Sequence, residues 1–237
     1  MAFIFPFKTD KFTAYADAGE TTKNKLSLAV RVIDGVNDQV ITDGIKVSLL
    51  GDKTYQPVQN LSGYYCFIDM PVGKYKLIVQ SNSGNGDQFF SEEVPLDIPL
   101  IINEINRFKE VKVQEVKLIP KPSYLFSANA TLIRGMVSRK PEGIDPVANA
   151  MVTAGYQGEQ KIMETRTNHA GEFVLLVKKI IFKKDSTGKD TKIIENINID
   201  IVKDNQSISI ATNDLLKDKP FLEGETGIIV INDFPAV

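Results

Sequence analysis

The chain has 237 residues, 43% of them hydrophobic and 24% charged, with a formal net charge of −2. That length suits two domains of ordinary size, and a near-neutral balance with no basic stripe argues against nucleic acid as a partner. No apolar run approaches the ~20 residues of a membrane helix, and the single cysteine, Cys66, excludes an internal disulfide.

Residues 1–25 form an aromatic-rich, apolar leader with Phe3, Phe5, Phe7 and Phe12. It has no basic start and no apolar stretch of signal length, so cytoplasmic synthesis without a signal peptide is expected, compatible with later release as part of a particle. Pro6 argues against a central strand. The leader reads either as an edge strand of the first domain or as an arm laid on a neighbouring subunit, since it would otherwise expose an apolar patch.

A first sandwich is expected over residues 26–118. Leu28, Val30 and Val32 alternate with Ala29, Arg31 and Ile33, and Ile45, Val47 and Leu49 alternate with Lys46 and Ser48, the period of strands. Gly63 turns the chain into a strand with Tyr65 and Phe67 on one face. Pro71-Val72-Gly73 is a turn, and Tyr75, Leu77 and Val79 answer as the apolar face of the next strand. Residues 81–87 are a glycine-containing loop, and Phe89-Phe90 start another strand. In Val111–Leu118 the alternation slips phase at Gln114-Glu115, which suggests a β-bulge. Asn103–Lys109 could make a short helical turn.

Residues 119–130 hold Pro120 and Pro122 and read as a linker stiffened into an extended spacer, with Tyr124 and Phe126 as anchors. A second sandwich is expected over residues 131–237. Asn168-His169-Ala170-Gly171-Glu172-Phe173 repeats the turn and strand entry at Gly63, and the spacing from Val47 to Gly63 matches that from Val152 to Gly171 within a loop's tolerance. After Val177 the copies diverge. The second has a long hairpin from Lys178 to Val202, turning at Asp185–Gly188, with Ile197, Ile199 and Ile201 on its return strand. Leu215–Pro220 is a turn or short helix, and Ile208, Ile210 and Ile228–Ile231 supply the last strands. Short strands, many turns and no long helical period mean an all-β fold of two tandem Greek-key sandwiches.

The succession D-G-I-K-V (residues 43–47) or V-A-N-A-M-V (147–152), then S-G-Y-Y (62–65) or A-G-E-F (170–173), then M-P-V-G-K-Y-K-L-I-V (70–79) resembles carboxypeptidase regulatory-like domains, which are transthyretin-like sandwiches of about seven strands. The second copy lacks the last of these motifs. Residues 118–126 running into Thr131–Gly135 resemble the lead-in to such a domain in small proteins encoded with phage-tail-like contractile injection systems. That resemblance implies a structural role near the cap or terminator of the tube and sheath.

Chemistry finds little support. His169 and Glu172 have the H-x-x-E spacing of zinc carboxypeptidases, but catalytic zinc takes about three protein ligands and His169 is the only histidine. Cys66 sits mid-strand, where a small packed residue is expected rather than a nucleophile lacking a base. No glycine-rich loop has nucleotide-binding spacing. Residues 82–87 and 185–190 carry oxygen ligands, but hairpin turns explain both better than calcium does. The expectation is therefore no enzyme, no catalytic residue, no cofactor and no metal.

The expected role is a structural subunit or adaptor of a larger homo- or hetero-oligomeric protein assembly. The alternative is a carbohydrate- or peptide-binding module, for which Tyr15, Tyr55, Tyr64 and Tyr156 are the available platforms in a chain without tryptophan. Strands apolar on both faces mark the candidate interface: Tyr64 and Ile68 in the first copy, Val174 and Leu176 in the second, with Phe3, Phe5 and Phe7 of the leader and Phe234 near the other end.

Overall fold

The computed structural model describes residues 11–15, 21–82, 87–99, 112–141, 145–156, 163–177, 181–184, 190–194, 197–211, 221–222, 226–232 and 234–235. The leader phenylalanines Phe3, Phe5 and Phe7, the segments Asn103–Lys109 and Leu215–Pro220, and the Asp185–Gly188 turn lie outside them. By internal contact the chain divides into two units, Met1–Gly86 with Ser91–Leu118, and Asp87–Phe90 with Ile119–Val237.

The first unit holds β1 (Lys11–Tyr15), β2 (Thr21–Asp34), β3 (Ile45–Leu50), β4 (Thr54–Tyr55), β5 (Val58–Gln59), β6 (Tyr64–Ile68), β7 (Gly73–Ser81), β8 (Glu92–Ile98) and β9 (Lys112–Leu118). One sheet runs β1-β2-β6-β5 with β9 also on β2, and the other runs β4-β3-β7-β8. β2 starts earlier than the alternation at Leu28 suggests, because Thr21–Lys25 pair with β1. Its inward residues Leu28, Val30 and Val32 are fully buried. They meet Val47, Leu49, Leu77 and Val79 of the second sheet in a core where apolar area leaving water supplies the main driving force. Tyr75 closes one end, its hydroxyl donating to the Pro71 carbonyl at 2.8 Å. β8 is an edge strand and tolerates Pro95, opposite Lys76, for that reason.

Three expectations change here. The pairing of β9 with β2 runs without a break from Lys112 to Leu118, so there is no bulge at Gln114-Glu115. Gln114 lies half-buried on the inward side, and it is Val113 that faces out, 54% exposed. A register shift does occur, but in β2 against β6, between Leu26 and Leu28. Phe89 makes only an isolated bridge to Pro120, and the strand begins at Glu92.

The second unit holds β10 (Leu132–Val137), β11 (Met151–Tyr156), β12 (Met163–Arg166), β13 (Glu172–Leu176), β14 (Ile181–Lys184), β15 (Asp190–Ile194), β16 (Ile197–Lys203), β17 (Gln206–Ala211), β18 (Phe221–Leu222) and β19 (Thr226–Ile231). Its sheets run β13-β10-β19, β12-β11-β16-β17 and β14-β15-β18. The first two reproduce the first unit without its β1 and β5, with β19-β10-β13 standing for β9-β2-β6 and β12-β11-β16-β17 for β4-β3-β7-β8. β19 lies parallel to β10 as β9 does to β2. The core joins Ile133, Phe173, Leu175, Ile229 and Ile231 of one sheet to Val152, Ala154, Ile197, Ile199 and Ile201 of the other.

The long hairpin from Lys178 to Val202 is not formed. β14 and β15 make a short hairpin of their own, completed by β18, while β16 pairs with β11 and β17 in a different sheet. Period-two patterning fixes which side of a strand is buried but not which strand lies beside it. Nor are residues 119–130 an extended spacer. Tyr124 N donates to the Lys121 carbonyl at 2.9 Å, closing a turn on Pro122-Ser123, and Ala130 N donates to the Ser127 carbonyl at 3.0 Å. Among the described residues there is no α-helix, and none is long and apolar enough to cross a membrane.

Candidate interaction surface

The residues weighed for chemistry are held in structural roles. His169 is exposed in a turn closed by Gly171 N on the Asn168 carbonyl at 3.0 Å. Glu172, its H-x-x-E partner, accepts from the Asn168 amide at 2.9 Å. Cys66 is buried, and burial pushes its thiol up from the ordinary range, away from thiolate chemistry. Among the described residues no three His, Cys, Asp or Glu side chains converge as metal ligands.

Of the tyrosine platforms, Tyr156 is in the core at 5% exposure. Tyr55 stands edge-on to Tyr75 with ring centres 5.9 Å apart, and its hydroxyl donates to Asp52 Oδ1 at 2.7 Å. That bond raises the phenol to about 12 and lowers the Asp52 carboxyl. Tyr64 is half-buried, and of Tyr15 only the backbone is described.

What remains is the outer face of each β9/β19-type sheet, and here the two units superimpose in register. In the first unit Ala29 is paired with Val113 on one side and Cys66 on the other, and Cys66 is paired with Val58. In the second Arg134 is paired with Ile228 and Val174. Ala29, Cys66, Arg134, Val174 and Ile228 each sit beside an inward core residue, and Val113 and Val58 share their side through the pairing, so both rows face away from the core. Three features fix the match: Ile41 N donates to the Val32 carbonyl as Val147 N does to that of Val137, both at 2.9 Å; Gly63 and Gly171 precede Cys66 and Val174 by the same interval; and both last strands have the same register.

The two rows are finished differently. Arg134 reaches out along the second, donating from Nη1 to the Pro122 carbonyl at 2.8 Å and lying 5.8 Å from the centre of the Phe126 ring. Phe126, Tyr124 and Phe89 form an edge-to-face series, 4.7 and 5.3 Å between centres. Lys121 and Ser123 bind Asp87, holding the Asp87–Phe90 segment to this series. The chain thus lays an aromatic segment against Arg134 of β10, and Val174, paired with Arg134, is 1% exposed. On β19, which among the described residues is paired on one side only, Ile228 and Val230 stay 74% and 50% exposed, and Leu125, between Tyr124 and Phe126 in the chain, is 80% exposed.

The sequence-derived interface residues therefore fall into groups. Tyr64, Ile68 and Leu176 are half-buried. Val174 is not an open surface, and neither is Phe234, which is 1% exposed and belongs to the core of the second unit. Its backbone N donates to the Ser138 carbonyl at 3.1 Å, which turns the chain end inward. Ile228 and Val230 were legible in sequence as strand residues beside Ile229 and Ile231. Their side of the sheet needed the register.

No protein-family model matches the chain, and no curated protein matches it. Similar solved structures include the Bacillus anthracis TIE protein, at 10% identity and a TM-score of 0.31 over 87% of this chain and 33% of that one. Others are a streptococcal ancillary pilin, at 9% and 0.25 over 88% and 62%, and the shaft pilin SpaA of Lactobacillus rhamnosus GG, at 9% and 0.27 over 90% and 98%. The chain spans about a third of the TIE protein's length. Superpositions this loose decide neither fold nor role, and the sandwich fold rests on the strand pairing described above.

Proposed function

We propose that this chain is a non-enzymatic structural subunit, covered by other protein chains along the free edge of its second unit. One observation carries the reading. β19 places Ile229 and Ile231 in the core and Ile228 and Val230 in solvent, so it is apolar on both faces, and among the described residues it is hydrogen-bonded on one side only. An outward sheet face is ordinarily polar, and an open apolar edge invites another chain. The finer assignment, to a regulatory-like sandwich in the cap or terminator of a contractile injection system, is supported by the sequence resemblances at residues 43–79 and 118–135. A sugar-binding role is weaker, because Tyr156 is buried and the Tyr55 hydroxyl is engaged.

The test is the mass of the particle that the full chain joins at native expression. Replacing Ile228 and Val230 together by Lys is expected to release the chain from that particle without lowering its thermal stability. A wild-type chain that runs as a free monomer under the same conditions overturns the reading.

A further inference from the structure

The outer row of the first unit has small residues where the second has large ones. Ala29 and Cys66 stand where Arg134 and Val174 do, flanked by Val113 and Val58. Ala29 and Cys66 are 5% and 6% exposed, while Val113 and Val58 on either side are 54% and 60% exposed. The row is thus a shallow apolar trough whose floor is Ala29 and Cys66 and whose walls are valines. Tyr64 and Ile68, both half-buried, stand before and after Cys66 on the same face of β6.

We propose that the trough is the seat of this chain's own leader, with Phe3, Phe5 and Phe7 lying over Ala29 and Cys66. Three observations lead there. In the matching row of the second unit an aromatic segment of the chain already lies on Arg134, through Phe126. The leader is the other aromatic-rich stretch, and its phenylalanines alternate, so an extended leader turns all three to one side.

The third is the path of the chain. Lys11 pairs with Lys25, so the direction of β1 at Lys11 points towards Leu26 and Leu28. β6 holds one edge of β2 there, and β9, starting at Lys112 opposite Leu28, holds the other. Among the described residues both edges of β2 are thus taken from Leu28 on, which leaves the outer face of the sheet, with the trough, for the leader. The ten residues before Lys11 can span up to ~33 Å, whereas the four strands of the trough cover about 15 Å at ~4.8 Å spacing.

Cys66, the only cysteine, is the reporter. Its alkylation rate by a small maleimide is measured in the full chain, in a chain lacking residues 1–7, and in Phe3→Ser and Phe5→Ser. Uncovering the thiol is expected to speed alkylation by about ten-fold or more. The gain should be unchanged by low denaturant, as fits local uncovering rather than unfolding, and the protection in the full chain should be the same at every protein concentration. If the deletion unfolds the first unit, the point variants give the reading. An unchanged rate in folded variants overturns the proposal, as does a gain that grows with denaturant. Protection that fades on dilution overturns it too, because it assigns the trough to a second copy.

Discussion

Asn60 and Asn168 close the two copies' turns with the same set of hydrogen bonds. Each side-chain Oδ1 accepts from the backbone N–H groups two and four residues on, at 3.0 and 2.9 Å from Ser62 and Tyr64, and at 2.9 Å from both Ala170 and Glu172. Each backbone N–H donates to the carbonyl of the strand's first residue, at 2.9 Å to Tyr64 and 2.8 Å to Glu172. The asparagine stands in for a turn of backbone, and the glycine three residues on, at φ +80° or +74°, completes it.

Replacing either asparagine by Ala should cost its own unit about 1–2 kcal/mol, from two lost bonds to backbone donors. The glycines should differ. A Cβ at Gly171 would stand 2.4 Å from the Val137 carbonyl oxygen, whereas at Gly63 it would meet two methyl groups at 3.0 Å. Both substitutions incur roughly 1–2 kcal/mol for a left-handed backbone. Gly171→Ala should cost clearly more, because a strand carbonyl must move. Denaturant unfolding, fitted for each unit's transition, checks both.

Thr167 has no exposure and binds twice, donating to the Val147 carbonyl at 2.6 Å and accepting from Ala150 N at 2.8 Å. Thr167→Val keeps the shape and strands a buried N–H, so a loss of about 1–3 kcal/mol is expected. Thr167→Ser should recover most of it in the same unfolding experiment.

Neighbouring residues of β19 should behave oppositely. Ile229→Ala opens the core and should cost about 2–5 kcal/mol. Ile228→Ala removes an exposed side chain and should change thermal stability by no more than about 0.5 kcal/mol. Equal losses would mean that the outward face of β19 is packed within the chain.

The Asp52–Tyr55 bond predicts a pH signature. The folded state holds the phenol at about 12, above the ordinary 10.0 of tyrosine, so the bond's contribution is full below the unfolded value and fades as pH rises through about 12. Asp52 is held below its ordinary value, so on the acid side the contribution is present above that value and is lost as pH falls through the depressed one. Near-ultraviolet titration of the tyrosines should show one ionising near 12, and Asp52→Asn should return it towards the usual range.

The repeat was visible in sequence because its turn depends on two residues, Asn and Gly, at a fixed interval. All-β character was equally plain from the alternation at Leu28, Val47 and Ile197. Partners were not. Gln114 looked like a phase slip because it breaks the apolar alternation begun at Val111 and Val113, yet it lies on the inward side of the last strand, as Ile229 does in the second copy. Gly135 stands where the first copy has Val30, for a reason that only the folded chain reveals. A Cβ there would lie 2.4 Å from the Phe173 ring, so glycine makes room for the aromatic. Phe234 reads as an apolar chain end, and sequence does not say that the core behind it belongs to the same unit.

The parallel pairing of β10 with β19 determines how the second unit bears tension. Pulled through its two ends, the second unit is loaded at the start of β10 and the finish of β19, which lie at opposite ends of one ladder. The strands are then drawn past each other lengthwise, so the hydrogen bonds from Leu132–Thr226 to Val137–Ile231 share the force instead of parting one at a time. β2 and β9 repeat that geometry from Leu28–Lys112 to Asp34–Leu118. The second sandwich therefore resists stretching in shear, the stiff direction of a β-ladder.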